Sequence, residues 1–122
     1  MAKILVVDDS LVMKRKLKMV LAKAGHRVVA FASNGIFALK EYEKHQPDIV
    51  TMDITMPSMN GIDAVKRILS SYPKARIIMV SALNQQNLIF SAIEAGAKHY
   101  IVKPIREEKI LEVIDQVLKD YP

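Results

Sequence analysis

The sequence predicts an α/β protein: a doubly wound, five-stranded parallel sheet carrying five helices. Three observations lead there. Short runs rich in Val and Ile recur at residues 3–8, 27–32, 48–53, 76–81 and 99–102. After each comes a longer stretch whose apolar residues repeat at helical spacing. Turn formers mark the joints at Asn34-Gly35, Pro47, Pro57, Asn60-Gly61 and Pro73, and Gly25 and Gly96 stand where a helix ends in a left-handed residue. Strict alternation of strand and helix requires a parallel sheet covered on both faces, with right-handed crossovers.

The first run, Ile4-Leu5-Val6-Val7, is apolar throughout, as a strand buried on both faces should be, and it ends in Asp8-Asp9. Met13, Leu17, Val20, Leu21 and Ala24 then trace the first helix. The second strand leads to a helix marked by Ala38, Leu39 and Tyr42. The third, Ile49-Val50-Thr51-Met52, ends in Asp53 and is followed by Ile62, Val65, Ile68 and Leu69. Ser81 closes the fourth strand, and Ile89, Ala92 and Ile93 mark the fourth helix. Lys103-Pro104 follows the fifth strand, before Ile110, Val113, Ile114, Val117 and Leu118. Leu88-Ile89-Phe90 cannot all face one core, so at least one is expected at the surface as a partner anchor.

With 122 residues the chain is expected to form one domain, 1–122, large enough for a full core. At 51% hydrophobic and 25% charged it has a soluble globular composition. The absence of cysteine excludes a disulfide framework, a thiolate metal site and a thiol nucleophile. No apolar stretch is long enough for a signal peptide or a membrane span, so a cytoplasmic protein without membrane contact is expected. The net charge of +5 is uneven: Lys14, Arg15, Lys16, Lys18, Lys23 and Arg27 follow one another with no acid among them. A solvated helix face is the simpler reading, and a docking face for an acidic partner the sharper one. Nucleic acid is not expected, since no DNA-binding module or basic-aromatic interleaving occurs.

For five strands the common doubly wound order is 2-1-3-4-5, with ligands bound beyond the strand ends at the switch point between strands 1 and 3. Asp8, Asp9 and Asp53 occupy those ends, with Ser81 and Lys103 along the same edge. Three carboxylates that close cannot all stay ionised without a compensating cation. Hard oxygen ligands without Cys or His favour Mg2+, and a carboxylate beside Mg2+ is placed to attack a phosphoryl group. Taken singly, each residue has a plainer reading: helix caps for Asp8, Asp9 and Ser81, a turn residue for Asp53, a surface lysine for Lys103.

Together, Val7-Asp8-Asp9-Ser10, Met52-Asp53-Ile54-Thr55-Met56-Pro57-Ser58-Met59-Asn60-Gly61, Ser81-Ala82 and Tyr100-Ile101-Val102-Lys103-Pro104 resemble the receiver domain of response regulators across essentially the whole chain. With no output domain appended, the chain resembles the single-domain, chemotaxis-type (CheY-like) regulators. Receiver domains are themselves a standard example of the 2-1-3-4-5, flavodoxin-like order, so that order and the resemblance count as one expectation.

The resemblance implies roles. Asp53 is the phosphoryl acceptor. Asp9, Asp53 and the backbone carbonyl of Thr55 bind Mg2+, with Asp8 acting largely through water. Lys103 pairs first with Asp53 and then with a phosphoryl oxygen, while the Ser81 hydroxyl meets another. The Lys103–Pro104 bond is cis and aims the lysine. Ser81 and Tyr100 form the switch, and the fourth helix, fifth strand and fifth helix form the output face, with Ile89 and Tyr100 on it. Leu83 offers no group to position water, so slow self-dephosphorylation is expected.

The implied partners are a histidine kinase as phosphodonor and a phosphorylation-dependent protein, either a flagellar motor switch component or a phosphatase, met by a monomer. Such a switch catalyses its own phosphorylation and dephosphorylation without being a turnover enzyme. Alternatives within the family are a phosphate sink without its own output and a receiver cut from a longer regulator. An Asp-nucleophile phosphohydrolase would instead carry Asp-x-Asp after its first strand, and a flavin-binding protein would need a phosphate-cradling loop where this chain is acidic. His26, His45 and His99 are read as surface or strand-end residues. Phe37, near the start of the second helix, is expected to be partly exposed and has no assigned role.

Overall fold

Nearly continuous apolar runs in three short strands place those strands in the middle of a sheet, and the rest of the architecture follows from covering it. The structure, a computed structural model, describes residues 1–122. In chain order the elements are β1 (Lys3–Val7), α1 (Leu11–Lys23), β2 (Arg27–Ala32), α2 (Gly35–His45), β3 (Ile49–Met52), α3 (Gly61–Ser71), β4 (Ile77–Ser81), α4 (Gln86–Ala95), β5 (His99–Val102) and α5 (Glu107–Asp120). The strands form one parallel sheet in the order β2-β1-β3-β4-β5.

Because strand side chains alternate between faces, each inner strand feeds two cores. Leu5, Val7, Val50, Met52, Ile77 and Met79 pack with Ala38, Val65, Ile68 and Ala92 of α2, α3 and α4. Ile4, Val6, Ile49, Ile78, Val80 and Ile101 pack on the opposite face with Leu17, Leu21, Ile110 and Ile114 of α1 and α5. Burial on both faces, expected of every strand, holds for β1, β3 and β4 only. β2 and β5 are edge strands with one neighbour each, and both are partly exposed.

Side-chain caps start three of the helices. Ser10, Asn34 and Asn60 accept from the backbone N–H of Met13, Phe37 and Asp63. Gly25 and Gly96 both have positive φ, as their positions after helices suggest.

Several expectations need correction. β1 and β3 end at Val7 and Met52, one residue short of the apolar-acidic runs, although Asp8 N–H still donates to Ala32 and Asp53 N–H to Val7. β3 also begins at Ile49 and β4 at Ile77, one residue later than expected. In α4 only Ala92 is buried; Ile93 is exposed and Phe90 is the most exposed of its large apolar residues. Ala24 is the exposed residue that ends α1, not part of its buried stripe. His26 is buried, because its Nδ1 accepts from the Ala2 N–H at 3.0 Å where the N-terminal segment crosses it. His45 and His99 are half-buried; His45 pairs with Glu41 at 3.5 Å and His99 Nδ1 accepts from the Tyr100 N–H.

Candidate functional site

The register of the central strands assembles the site. Val7 of β1 pairs with Met52 of β3, so the residues that follow, Asp8 and Asp53, emerge side by side. Asp8, Asp9 and Asp53 each present a carboxylate oxygen within 4.8 Å of the others. Asp8 and Asp53 are buried, while Asp9 is open to solvent. Helix capping does not occupy this acid pair, since Ser10 performs it. Asp8 Oδ1 accepts from the Ser10 N–H at 2.9 Å, and Asp53 Oδ1 accepts from the Ile54 N–H at 2.8 Å. Each carboxylate therefore keeps one oxygen aimed at the crevice.

Lys103 lies just past β5, and its backbone N–H donates to the Ser81 carbonyl at 2.9 Å. Its ammonium enters the carboxylate cluster, 2.9 Å from Asp8 Oδ2 and 3.5 Å from Asp53 Oδ2. Asp8 is thus the nearer partner, where Asp53 was expected. One cation is shared between two buried acids, and it hydrogen-bonds to the one that is more deeply enclosed. The Lys103–Pro104 peptide is cis. Ser81, at the end of β4, is buried, and its Oγ accepts from the Leu83 N–H at 3.2 Å. It does not cap α4, whose N-terminal residue Gln85 makes no side-chain capping bond.

Electrostatically, Asp53 is poised between opposing influences. Burial raises its carboxyl above the ordinary value; the Lys103 ammonium opposes this, the Asp8 carboxylate reinforces it, and hydrogen bonds from Ile54 and Ser81 lower it again. Three acids share one ammonium, so the crevice is short of positive charge. An all-oxygen donor set of this kind fits a hard divalent cation of the Mg2+ class.

The loop from Ile54 to Asn60 folds beneath Asp53. Gly61 opens α3 so close to it that a Cβ there would sit 1.9 Å from the Asp53 carbonyl oxygen. Thr55 is exposed in this loop. On the far side, Tyr100 pairs with Met79 across β5 and β4, and its hydroxyl donates to the Leu83 carbonyl at 2.7 Å. Burial raises the Tyr100 phenol above its ordinary value, with a bond from Ser81 opposing. The strand residue Tyr100 is therefore tied to the loop that follows Ser81. Ile89 is half-buried on α4, where it lines an apolar groove with Phe90, Ile93, Gln86 and Asn87.

Sequence reading missed two supporting residues. Gly61 was legible only as a turn former, because its close approach to Asp53 depends on the α3 packing. Lys16 was counted among solvated cations, yet it donates to the Ile105 carbonyl at 3.0 Å across the fold. The remaining cations of α1 are also not all free: Lys14 bonds the Ser33 hydroxyl and Lys23 lies 3.9 Å from Glu107.

Residues 4–115 match the family model described as the response regulator receiver domain. The chemotaxis protein CheY of Thermotoga maritima is 48% identical, covering 96% of this chain and 98% of that protein. That of Bacillus subtilis is 50% identical, covering 95% and 97%. Among solved structures, the CheX-CheY-BeF3-Mg+2 complex from Borrelia burgdorferi superimposes with a TM-score of 0.92 at 37% identity, over 94% of this chain and 87% of that one. No helix is long and apolar enough to cross a membrane.

Proposed function

We infer what this chain does from its family, and the chain belongs to the response regulator receiver domains. It is a CheY-like receiver of two-component signalling, a family whose role is a phosphorylation-activated switch and not classical turnover catalysis. On this chain we assign the phosphoryl acceptor to Asp53. One observation carries that assignment: Asp53 is buried at the end of the central strand β3, with Asp8, Asp9 and the Lys103 ammonium gathered around its carboxylate.

The incoming phosphoryl group comes from the phosphohistidine of a kinase. An Asp53 oxygen attacks the phosphorus in line; the O–P bond forms as the P–N bond breaks, and the electron pair leaves with the imidazole nitrogen, which takes up a proton. Asp8, Asp9, Asp53 and the Thr55 carbonyl would hold Mg2+, which supplies neutralisation of charge on the transferring oxygens. Lys103 exchanges its carboxylate contacts for a phosphoryl oxygen. The Ser81 hydroxyl turns from the Leu83 N–H toward another. Because Tyr100 is bonded to the Leu83 carbonyl, that movement is felt at β5 and α4, where Tyr100, Ile89 and Phe90 form the output surface. The same reading makes the chain its own catalyst of phosphorylation and dephosphorylation, active as a cytoplasmic monomer. Apolar Leu83 leaves the acyl phosphate without a group that orients water, which lengthens its life.

Two partners follow. The kinase docks on α1, whose exposed Leu11, Val12, Arg15, Lys18 and Met19 share one face. The output partner is a chemotaxis component, a flagellar motor switch protein or a phosphatase, in keeping with the chemotaxis names of the relatives. Intact-mass measurement after incubation with acetyl phosphate and Mg2+ tests the assignment. Gain of a single acid-stable, base-labile phosphoryl group, lost when Mg2+ is chelated and in Asp53→Asn, is expected. Uptake by Asp53→Asn at the wild-type rate would overturn it.

A further inference from the structure

Lys16 is the only side chain outside residues 103–106 that hydrogen-bonds to the backbone of that loop. Its Nζ donates to the Ile105 carbonyl at 3.0 Å, 89 residues away in sequence. The loop otherwise has little to hold its course. α5 begins at Arg106 without a side-chain capping bond, and Lys103 N–H is the last backbone donor tied to β4. The Ile105 side chain is buried against the α1 and α5 core, which fixes its depth but not the direction of its carbonyl.

The bond closes a ring. From Asp8 the chain runs through the cap residue Ser10 into α1, whose Lys14 N–H is bonded to the Ser10 carbonyl. Two residues on, Lys16 reaches Ile105, and the cis peptide before it leads back to Lys103. The Lys103 ammonium then returns to Asp8 at 2.9 Å. α1 is a continuous helix over this span, so a link from Lys16 to the loop sets how far Lys103 stands from the acids. An ammonium at a carbonyl makes a charge-assisted bond, stronger than a neutral one.

We propose that Lys16 is a positioning residue for phosphoryl transfer, holding the loop that aims Lys103 into the acidic crevice. This rests on Asp53 being the acceptor. Lys16 touches no reacting atom and acts through Lys103. The link also joins α1, the face assigned to the kinase, to the lysine that meets the phosphoryl group.

The test compares Lys16→Met, which keeps an apolar stem and removes the donor, with Lys16→Arg, which keeps a donor. Phosphorylation is followed by intact mass with acetyl phosphate at saturating Mg2+, at a temperature where circular dichroism shows every variant folded. Mg2+ affinity is measured by calorimetry. Lys16→Met is expected to slow phosphorylation by about threefold to tenfold, as small misplacements of a catalytic group do, with Mg2+ affinity unchanged and Lys16→Arg near wild type. In a Lys103→Ala background, Lys16→Met should have no further effect, since the group it positions is gone. A Lys16→Met rate equal to wild type would overturn the inference alone. So would an equal loss with Lys103 absent. A wild-type chain that takes up no phosphoryl group would overturn the Asp53 assignment, and this inference with it.

Discussion

Two titratable residues show how differently sequence exposes function and support. Asp53 was legible because it is an acid at the end of an apolar run, a local pattern. His26 was not, because its burial is created by Ala2, 24 residues away, whose N–H it accepts. Nδ1 being the acceptor, the native imidazole is neutral with its proton on Nε2. Burial first, then the N-terminal ammonium, hold its pKa below the ordinary 6.5, while Asp115 opposes. The unfolded chain keeps the ordinary value and so binds more protons than the native state between the two. Stability is therefore fully present above about pH 6.5 and is lost as pH falls toward the lower native value. Urea midpoints should drop from about pH 7 to 5.5 in the wild type and drop less in His26→Asn, which retains an acceptor. Parallel loss in both proteins would show that His26 is not the responsible group.

At the scale of elements, the wedge between β3 and α3 matters most. A Cβ on Gly61 would lie 1.9 Å from the Asp53 oxygen, 2.8 Å from its carbonyl carbon and 2.9 Å from Ile54 Cα. All three are backbone atoms, and none can rotate away. Gly61→Ala must therefore move the first turn of α3 or move Asp53. A cost of about 2 kcal/mol in urea unfolding is expected, together with about a tenfold or greater slowing of phosphate uptake. Wild-type uptake in this variant would show that the wedge does not set the acceptor's position. The same scale shows where periodicity fails. α4 carries apolar residues around most of its circumference, so spacing alone could not say that Ala92 faces inward while Phe90 and Ile93 face out. The helices with strong single stripes, α3 and α5, placed Val65, Ile68, Val113, Ile114 and Val117 in the core as spacing indicated.

Across the whole molecule, topology was the most legible property, because alternation of strand and helix leaves few ways to cover a parallel sheet. The five candidate site residues then converge without further information, each being a polar residue at or just beyond the end of a strand. Charge was the least legible. The cluster of cations on α1 reads as a solvated or docking face, yet Lys14 and Lys16 are engaged within the fold. The contacts that link crevice and surface are likewise a property of the assembled molecule, since Ser81, Leu83 and Tyr100 meet only through the pairing of β4 with β5. On the proposed reading a phosphoryl group would add about two negative charges at the crevice, and a shift in population between two packings would carry that change outward. The decisive measurement is a pair of amide nitrogen–proton spectra of the Mg2+-loaded protein, before and after adding beryllofluoride as a phosphoryl mimic, with Asp53→Asn in parallel. Shifts that run from Asp53 and Lys103 through Ser81 and Leu83 to Tyr100, Ile89 and Phe90, and are absent in Asp53→Asn, are expected. Shifts confined to the acidic loop, or persisting unchanged in Asp53→Asn, would contradict a phosphorylation switch that reads out on α4 and β5.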